Sequence, residues 1–589
     1  MTGPLLRVRD LTATVTTRRE VIQAVRGISF DINADEAVGF VGESGCGKSV
    51  TAKALMRLAP EGASIGLGGS VAFWGQELLG LGEDEMRDLR GRRIAMVFQD
   101  PMTSLNPVMS IGAQMGDMLR RHLGLSAKEA RERSVELLDL VGIPDPARRI
   151  DDFPHQFSGG QRQRVLIAIA ISCEPDLLIA DEPTTALDVT VQAQILRLLL
   201  RLREERGMAL MLITHDFGVV AGMVDRVNVM YCGEIVEAGP VDDVFARPQH
   251  AYTRALLDAV PRLQGAGGGA MTEPLLQVRD LSVLFPARRG APPVKAVERL
   301  SFEIAPGQTL GLVGQSGSGK TTAGRAILQL QKASEGSVKL MGQELTTMGS
   351  GELRRMRRHM QFVLQNPYSS LHPRMTIGQI LSEPLQVHRT VPANRIRERV
   401  AELLELVNLD PAMMQRYPHE FSGGQRQRVV IARALAVNPD FVVCDEPVSA
   451  LDVRTQAQIV ALLQSLQEKL GLSYLFIAHD LAIVREMAHR VAVMFRGRIV
   501  EMGSAAQVYD SPAHPYTQLL LDAVPVPDPV LQRERLRRPP PDLRFLDGDG
   551  GACVHGVDHA RDGTPEWHEV GPGHGVSCRY WPRAQCTAA

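Results

Sequence analysis

Two tandem α/β domains followed by a turn-rich tail are what this 589-residue sequence predicts. Three observations carry that prediction. The chain begins twice: "MTGPLLRVRDL" opens it, and "MTEPLLQVRDL" returns at 271–281. Each half has a glycine-rich loop set between a strand-like and a helix-like run. Each half then returns to apolar strand-like runs that end in polar residues.

The repeat is read first, because it sets the domain count. "AVRGISFDI" at 24–32 returns as "AVERLSFEI" at 296–304, and "VGESGCGKS" at 41–49 as "VGQSGSGKT" at 313–321. "FSGGQRQRV" recurs unchanged at 157 and 421, and "AYTRALLDAVP" at 251–261 returns as "PYTQLLLDAVP" at 515–525. Two copies at so long a period make two homologous domains, not a solenoid. The expected boundaries are 1–261, a glycine-rich linker at 262–272 that retains the second start at Met271, 273–525, and a tail at 526–589.

Composition bounds the class. The chain is 44% hydrophobic and 22% charged, an ordinary globular balance. Its 65 basic and 67 acidic residues leave a net charge of −2, so nothing favours nucleic acid or an anionic membrane surface. Seven cysteines are too few for a secreted disulfide scaffold and fit a reducing compartment. The N-terminus lacks a basic-then-apolar targeting layout. The longest apolar run, "VLIAIAISC" at 165–173, is about half of what a spanning helix needs. A cytoplasmic chain is expected, reaching any membrane through partners.

The two glycine-rich loops match G-x(4)-G-K-[ST]. They comprise Gly42, Ser44, Gly45, Gly47, Lys48 and Ser49 in the first half, and Gly314, Ser316, Gly317, Gly319, Lys320 and Thr321 in the second. "AVGFV" and "TLGLV" precede them and helix-like runs follow, which is the context the motif requires. Backbone N–H groups there can wrap phosphate oxygens at a helix N-terminus. Lys48 and Lys320 can meet the β- and γ-phosphates, and Ser49 and Thr321 can hold Mg²⁺. Downstream, "LLIADEP" and "FVVCDEP" end in Asp181–Glu182 and Asp445–Glu446. A buried strand delivers such carboxylates to the nucleotide end of an α/β sheet, the Asp for Mg²⁺ and the Glu to polarise water. "LITHD" and "FIAHD" place His215 and His479 at further strand ends, positions suited to sensing a γ-phosphate.

Together these segments resemble the nucleotide-binding domains of ABC transporters, over residues 1–525. The most specific element is "FSGGQRQR", which looks like the signature sequence of that family; Ser158, Gly159, Gly160 and Ser422, Gly423, Gly424 each precede a helix-forming run. The resemblance implies, for each half, a RecA-like core with an α-helical subdomain. It implies two ATP molecules with Mg²⁺, each signature reaching the ATP bound by the opposite domain. Gln99 in "MVFQDP" and Gln365 in "FVLQNP" resemble the Q-loop glutamines, which join the loop hydroxyls at Mg²⁺ and link to the membrane partner. Glu182 and Glu446 resemble the catalytic glutamates, His215 and His479 the switch histidines, and Asp188 and Asp452 the D-loop residues. Phe285 fits the family's adenine-stacking aromatic, whereas Val15 stands in the first half and forgoes ring stacking of about 0.5–1.5 kcal/mol.

The short glycine-rich joint and the lack of CxxC pairs in either half argue against ribosomal and DNA-repair twin ATPases. "HAYTRALLDAVP", "HPYTQLLLDAVP" and the Q-loop segments resemble oligopeptide and dipeptide importers, whose relatives carry glutathione, nickel or other small solutes. The implied partners are two transmembrane permease subunits and an extracytoplasmic solute-binding protein, with this chain peripheral on the cytoplasmic face. The tail holds Cys553, Cys578 and Cys586 among several histidines. "HGVSC" at 574–578 resembles part of a cysteine-bearing region in peptide importers. An iron–sulfur cluster, Zn²⁺ held by three cysteines and a histidine, or idle thiols on an irregular tail all remain open.

Overall fold

The computed structural model describes residues 3–17, 20–60, 62–185, 187–258, 273–286, 293–365, 370–449, 451–538 and 567–577. The chain forms two compact units. One comprises Met1–Leu187, Val191–Val260 and Pro525–Pro540, the other Asp188–Thr190, Pro261–Val524 and Pro541–Ala589.

In the first unit a six-stranded sheet runs in the order Glu234–Pro240, Arg226–Tyr231, Ala37–Val41, Ala209–Ile213, Leu177–Asp181, Ile94–Val97. All its neighbours pair in parallel except the first two strands. "AVGFV", "LLIAD" and "ALMLI" are buried at every position. A parallel sheet is covered on both faces, so its strands read as continuous apolar runs. A four-stranded antiparallel sheet, built from Val21–Ile32, Leu6–Thr16, Ser64–Phe73 and Gln76–Glu77, lies beside it. The helices Ile111–Leu123 and Ala127–Leu140 follow the Q-loop segment. Ser126 and Glu129 form a reciprocal cap on the second of these, and its Ala130, Leu137 and Leu138 face the core.

The second unit repeats the plan with Thr309–Val313 between Ser473–Ile477 and Arg490–Phe495, Phe441–Asp445 on the far side of Ser473–Ile477, and Ile377–His388 and Ile396–Leu406 as the helical pair. Its sheet has eight strands, because a hairpin of the tail, Trp567–Gly571 with His574–Ser577, adds antiparallel to the edge strand Arg498–Ser504.

The tail is therefore more regular than its composition predicts. Besides the hairpin it forms the helix Pro529–Arg537, started by the Asp528 carboxylate, which accepts from the Leu531 N–H. That helix packs in the first unit. Leu536 enters the first unit's apolar core, Arg533 pairs with Asp242 at 3.1 Å, and Gln532 is buried. At Pro525 the chain returns from the second unit to the first. No described helix is long and apolar enough to cross a membrane.

Candidate functional site

The two glycine-rich loops fold alike. Gly42 and Gly314 adopt φ of 152° and 150°, and a Cβ at either would collide with the carbonyl of Met230 or Met494. Only glycine fits that close approach. Lys48 Nζ folds back to donate to the carbonyls of Gly42 at 2.7 Å and Glu43 at 2.8 Å; Lys320 makes the same pair with Gly314 and Gln315. Burial lowers the pKa of Lys320. The loop tips Ser44–Gly45 and Ser316–Gly317 are exposed, with open space at both glycines. The helices Lys48–Leu55 and Lys320–Ile327 begin directly behind, so their free N–H groups face the loop. This cradle fits a polyphosphate.

The carboxylate pairs stand at strand ends beside it. Ser49 Oγ donates to Asp181 Oδ1 at 2.8 Å, and Thr321 Oγ1 to Asp445 Oδ1 at 3.0 Å. Burial pushes both aspartates up, against the hydroxyl hydrogen bond that stabilises the anion. A hydroxyl and a carboxylate in contact are the hard oxygen donors that suit Mg²⁺. In the next residue the backbone turns left-handed, φ 46° at both Glu182 and Glu446.

That turn places each glutamate between two expected partners. Gln99 Nε2 donates to Glu182 Oε2 at 2.8 Å, and His215 Nδ1 lies 3.3 Å from Oε1. Gln365 Nε2 donates to Glu446 Oε2 at 2.7 Å, and His479 Nδ1 lies 3.2 Å away. Burial works to raise Glu182, but the hydrogen bond and charge of His215 outweigh it and hold the carboxyl at about 2. Glu446 is lowered in the same way by His479. Reciprocally, both histidines are raised despite the opposing effect of burial. Each site is a partly buried carboxylate–histidine pair beside a hydroxyl–carboxylate pair, next to a glycine-rich loop.

The signature serines cap helices. Ser158 Oγ accepts from the Gln161 N–H, and the Gln161 side chain accepts from Ser158 N–H; Ser422 and Gln425 repeat this. Gly159 and Gly160, like Gly423 and Gly424, form the first turn, exposed at Gly159 and half-buried at the other three. A Cβ at Gly160 would meet Val191 Cγ1 at 2.5 Å. Asp452 caps the helix Val453–Leu470 through the Thr455 N–H. Phe285, at the end of its strand, is 38% exposed, whereas Val15 is only 9% exposed, paired between Ile22 and Ile65.

The tail metal expectation finds no described support. No group of three metal-capable side chains occurs among the described residues, and Cys553, Cys578 and Cys586 lie outside them. His574 of "HGVSC" turns inward instead: its Nε2 lies 2.7 Å from the fully buried Glu501 Oε1.

Three contacts escape the sequence reading. Thr185 Oγ1 donates to Glu182 Oε2 at 2.8 Å. Tyr252 and Tyr516, in the segments used only as a subfamily mark, accept hydrogen bonds from the phosphate loops. The repetition of "YT" at matching places was the available signal.

The ABC transporter family profile matches residues 25–185 and 297–449. The profile of the oligopeptide/dipeptide transporter C-terminal region matches 236–280 and 500–555. The chain is 46% identical over 611 aligned residues to the glutathione import ATP-binding protein GsiA of Escherichia coli (strain K12), covering 98% of this chain and 97% of that one. It is 47% identical over 569 residues to GsiA of Pectobacterium atrosepticum, covering 90% and 91%. A solved dimeric cassette, MJ0796 bound to ADP and Pi, aligns at 28% identity over 39% of this chain and 98% of that chain, with a TM-score of 0.36. With two phosphate loops, two signature segments and both family profiles doubled along it, the chain belongs to the ABC transporter family.

Proposed function

We propose that this chain is the ATP-hydrolysing subunit of a membrane importer for oligopeptides or dipeptides, with both sites active. The doubled match to the oligopeptide/dipeptide C-terminal region carries the substrate class. Glutathione, a tripeptide, is the second reading, favoured by the names of the most similar relatives.

In this reading the domains span 1–261 and 273–525, joined by 262–272. Lys48 and Lys320 neutralise phosphate charge. Ser49 with Asp181, and Thr321 with Asp445, hold Mg²⁺ together with Gln99 and Gln365; the ion supplies charge neutralisation at the phosphates. Glu182 and Glu446, kept ionised by their histidines, accept a proton from water as it attacks. His215 and His479 hold and orient those carboxylates. Ser158–Gly160 and Ser422–Gly424 offer helix N-termini as further phosphate contacts, and Phe285 stacks on adenine.

Two permease subunits and an extracytoplasmic solute-binding protein complete the transporter, and the chain sits peripherally on the cytoplasmic face. A groove of about 390 Å³ in the second unit supports the permease docking. Leu328, Phe362, Pro384, Val387, Val430 and Arg433 line it, between the strand Met360–Val363, the helix Ile377–His388 and the signature helix Gly423–Leu435. An iron–sulfur or zinc site in the tail has no support among the described residues and is given no role.

The test is transport in vesicles reconstituted with this chain and two permease subunits of the oligopeptide/dipeptide type. ATP-dependent uptake of a labelled dipeptide or oligopeptide, with glutathione a poor competitor, is the expected result. Uptake of glutathione alone selects the second reading, and uptake of neither overturns the substrate class.

A further inference from the structure

The segments "HAYT" and "HPYT" lie far along the chain from the phosphate loops, yet in each unit they return to the loop. The Glu43 N–H donates to the Tyr252 hydroxyl at 3.0 Å, and the Gln315 N–H donates to the Tyr516 hydroxyl at 3.1 Å. These are the residues directly after Gly42 and Gly314, and each N–H shares its peptide unit with the Gly42 or Gly314 carbonyl, one of the two that Lys48 or Lys320 grips. Tyr252 and Tyr516 are 9% and 0% exposed, and each ring packs on a neighbouring ring, Tyr231 at 4.4 Å and Phe495 at 4.5 Å. Burial raises the pKa of both phenols, so both hydroxyls stay protonated.

Each tyrosine is itself anchored. The Tyr252 N–H donates to His250 Nδ1 at 3.2 Å, and the Tyr516 N–H to His514 Nδ1 at 3.0 Å, so the histidine starts the short helix that carries the tyrosine. A carboxylate holds the histidine's backbone in turn. Glu237 accepts from the Gln249 and His250 N–H groups, and Glu501 from those of Ala513 and His514. In the second unit the tail adds a further contact, His574 on Glu501 at 2.7 Å.

We propose that Tyr252 and Tyr516 are positioning residues for the two phosphate loops. Each hydroxyl fixes the peptide unit that holds the loop lysine, so nucleotide affinity at each site depends on the C-terminal segment of the same unit. The proposal rests on the reading of these loops as ATP sites. The second site carries the longer chain of contacts, Glu501 linking the tail hairpin to the tyrosine turn. The role is one of geometry, because the tyrosines touch the loop backbone and not the lysine itself.

The test uses the full-length chain and a fluorescent ATP analogue with Mg²⁺. Lys320→Ala isolates the first site and Lys48→Ala the second. In the first background Tyr252→Phe keeps the ring and removes only the hydroxyl; it is expected to weaken binding about fivefold, the cost of one orphaned N–H. Tyr516→Phe is expected to do the same in the second background, and His574→Ala to weaken the second site alone by a smaller factor. Hydrogen exchange at the Glu43 and Gln315 amides is expected to rise in the matching variant, with the melting temperature lowered by only about 2–4 °C. Unchanged affinity in both tyrosine variants, or loss at both sites from either one, overturns the proposal. Equal binding by the parent chain and the Lys48→Ala, Lys320→Ala double variant overturns the ATP-site reading instead.

Discussion

At Glu182 and Glu446 the left-handed backbone costs roughly 1–3 kcal/mol, and the surrounding contacts hold it in place. It aims the carboxylate at His215 or His479 on one side and Gln99 or Gln365 on the other. Glu182→Gln and Glu446→Gln keep the shape and remove the base; each is expected to lower steady-state ATP turnover of the assembled transporter by about a hundredfold or more. An unchanged rate in either variant removes that site from the cycle. The histidines carry a pH dependence of known sign. A folded pKa raised above about 6.5 adds stability that is complete below that value and is lost as pH rises through the folded pKa. The glutamates, lowered, stay ionised throughout that window. Nucleotide-free protein is therefore expected to resist urea better at pH 6 than at pH 8.5. His215→Ala and His479→Ala should each remove part of that difference. At the second site Phe285→Ala is expected to weaken ATP binding by about threefold to tenfold; no change places the adenine elsewhere. Thr185 and the two tyrosines were not legible as site residues, because a lone hydroxyl has no motif until the fold brings it to its partner.

Among the elements, the helix Pro529–Arg537 and the hairpin at 567–577 are where composition misleads. A tail rich in proline and charge predicts irregular chain, and each piece is regular because it finds an apolar or edge surface waiting. The helix packs on Phe217–Met223, which follows His215. A Cβ on Gly222 would lie 2.6 Å from Gln532 Cγ and 2.7 Å from Leu536 Cδ1, and one on Gly218 would lie 2.8 Å from Pro525 Cβ. The corresponding helix of the second unit, Leu481–Met487, has Ala482 and Glu486 at those positions, and its Arg485 pairs with Asp510 at 2.8 Å. So this docking face exists only in the first unit. Leu536→Asp is expected to destabilise that unit by about 2–4 kcal/mol, seen as an earlier first transition in calorimetry, with the second unchanged. The central strands were legible because burial on both faces leaves a continuous apolar run; the Ser-x-x-Glu and Ser-x-x-Gln starts of Ala127–Leu140 and Gly159–Ile171 emerged only with the fold.

For the whole molecule, two units with separate cores predict two unfolding transitions. In a chain that cannot hydrolyse, Glu182→Gln with Glu446→Gln, Mg²⁺ and ATP at about a hundred times the dissociation constant should stabilise each unit by roughly 2.7 kcal/mol. Adding Lys48→Ala should abolish the shift of one transition, and Lys320→Ala the other. A single transition moved equally by either substitution would mean the two units unfold as one.

The sequence by itself determined the doubling, the phosphate loops, the carboxylate-ended strands and the family, because each is a local pattern that needs only neighbours along the chain to be read. Tertiary structure alone decided which side chains support that chemistry. Tyr252 reaches Glu43 across 209 positions, His574 reaches Glu501 across 73, and the tail helix returns to the first unit rather than staying with the second. Such contacts are chosen by which buried groups lack a partner and which faces lack a cover, and those are properties of the folded chain.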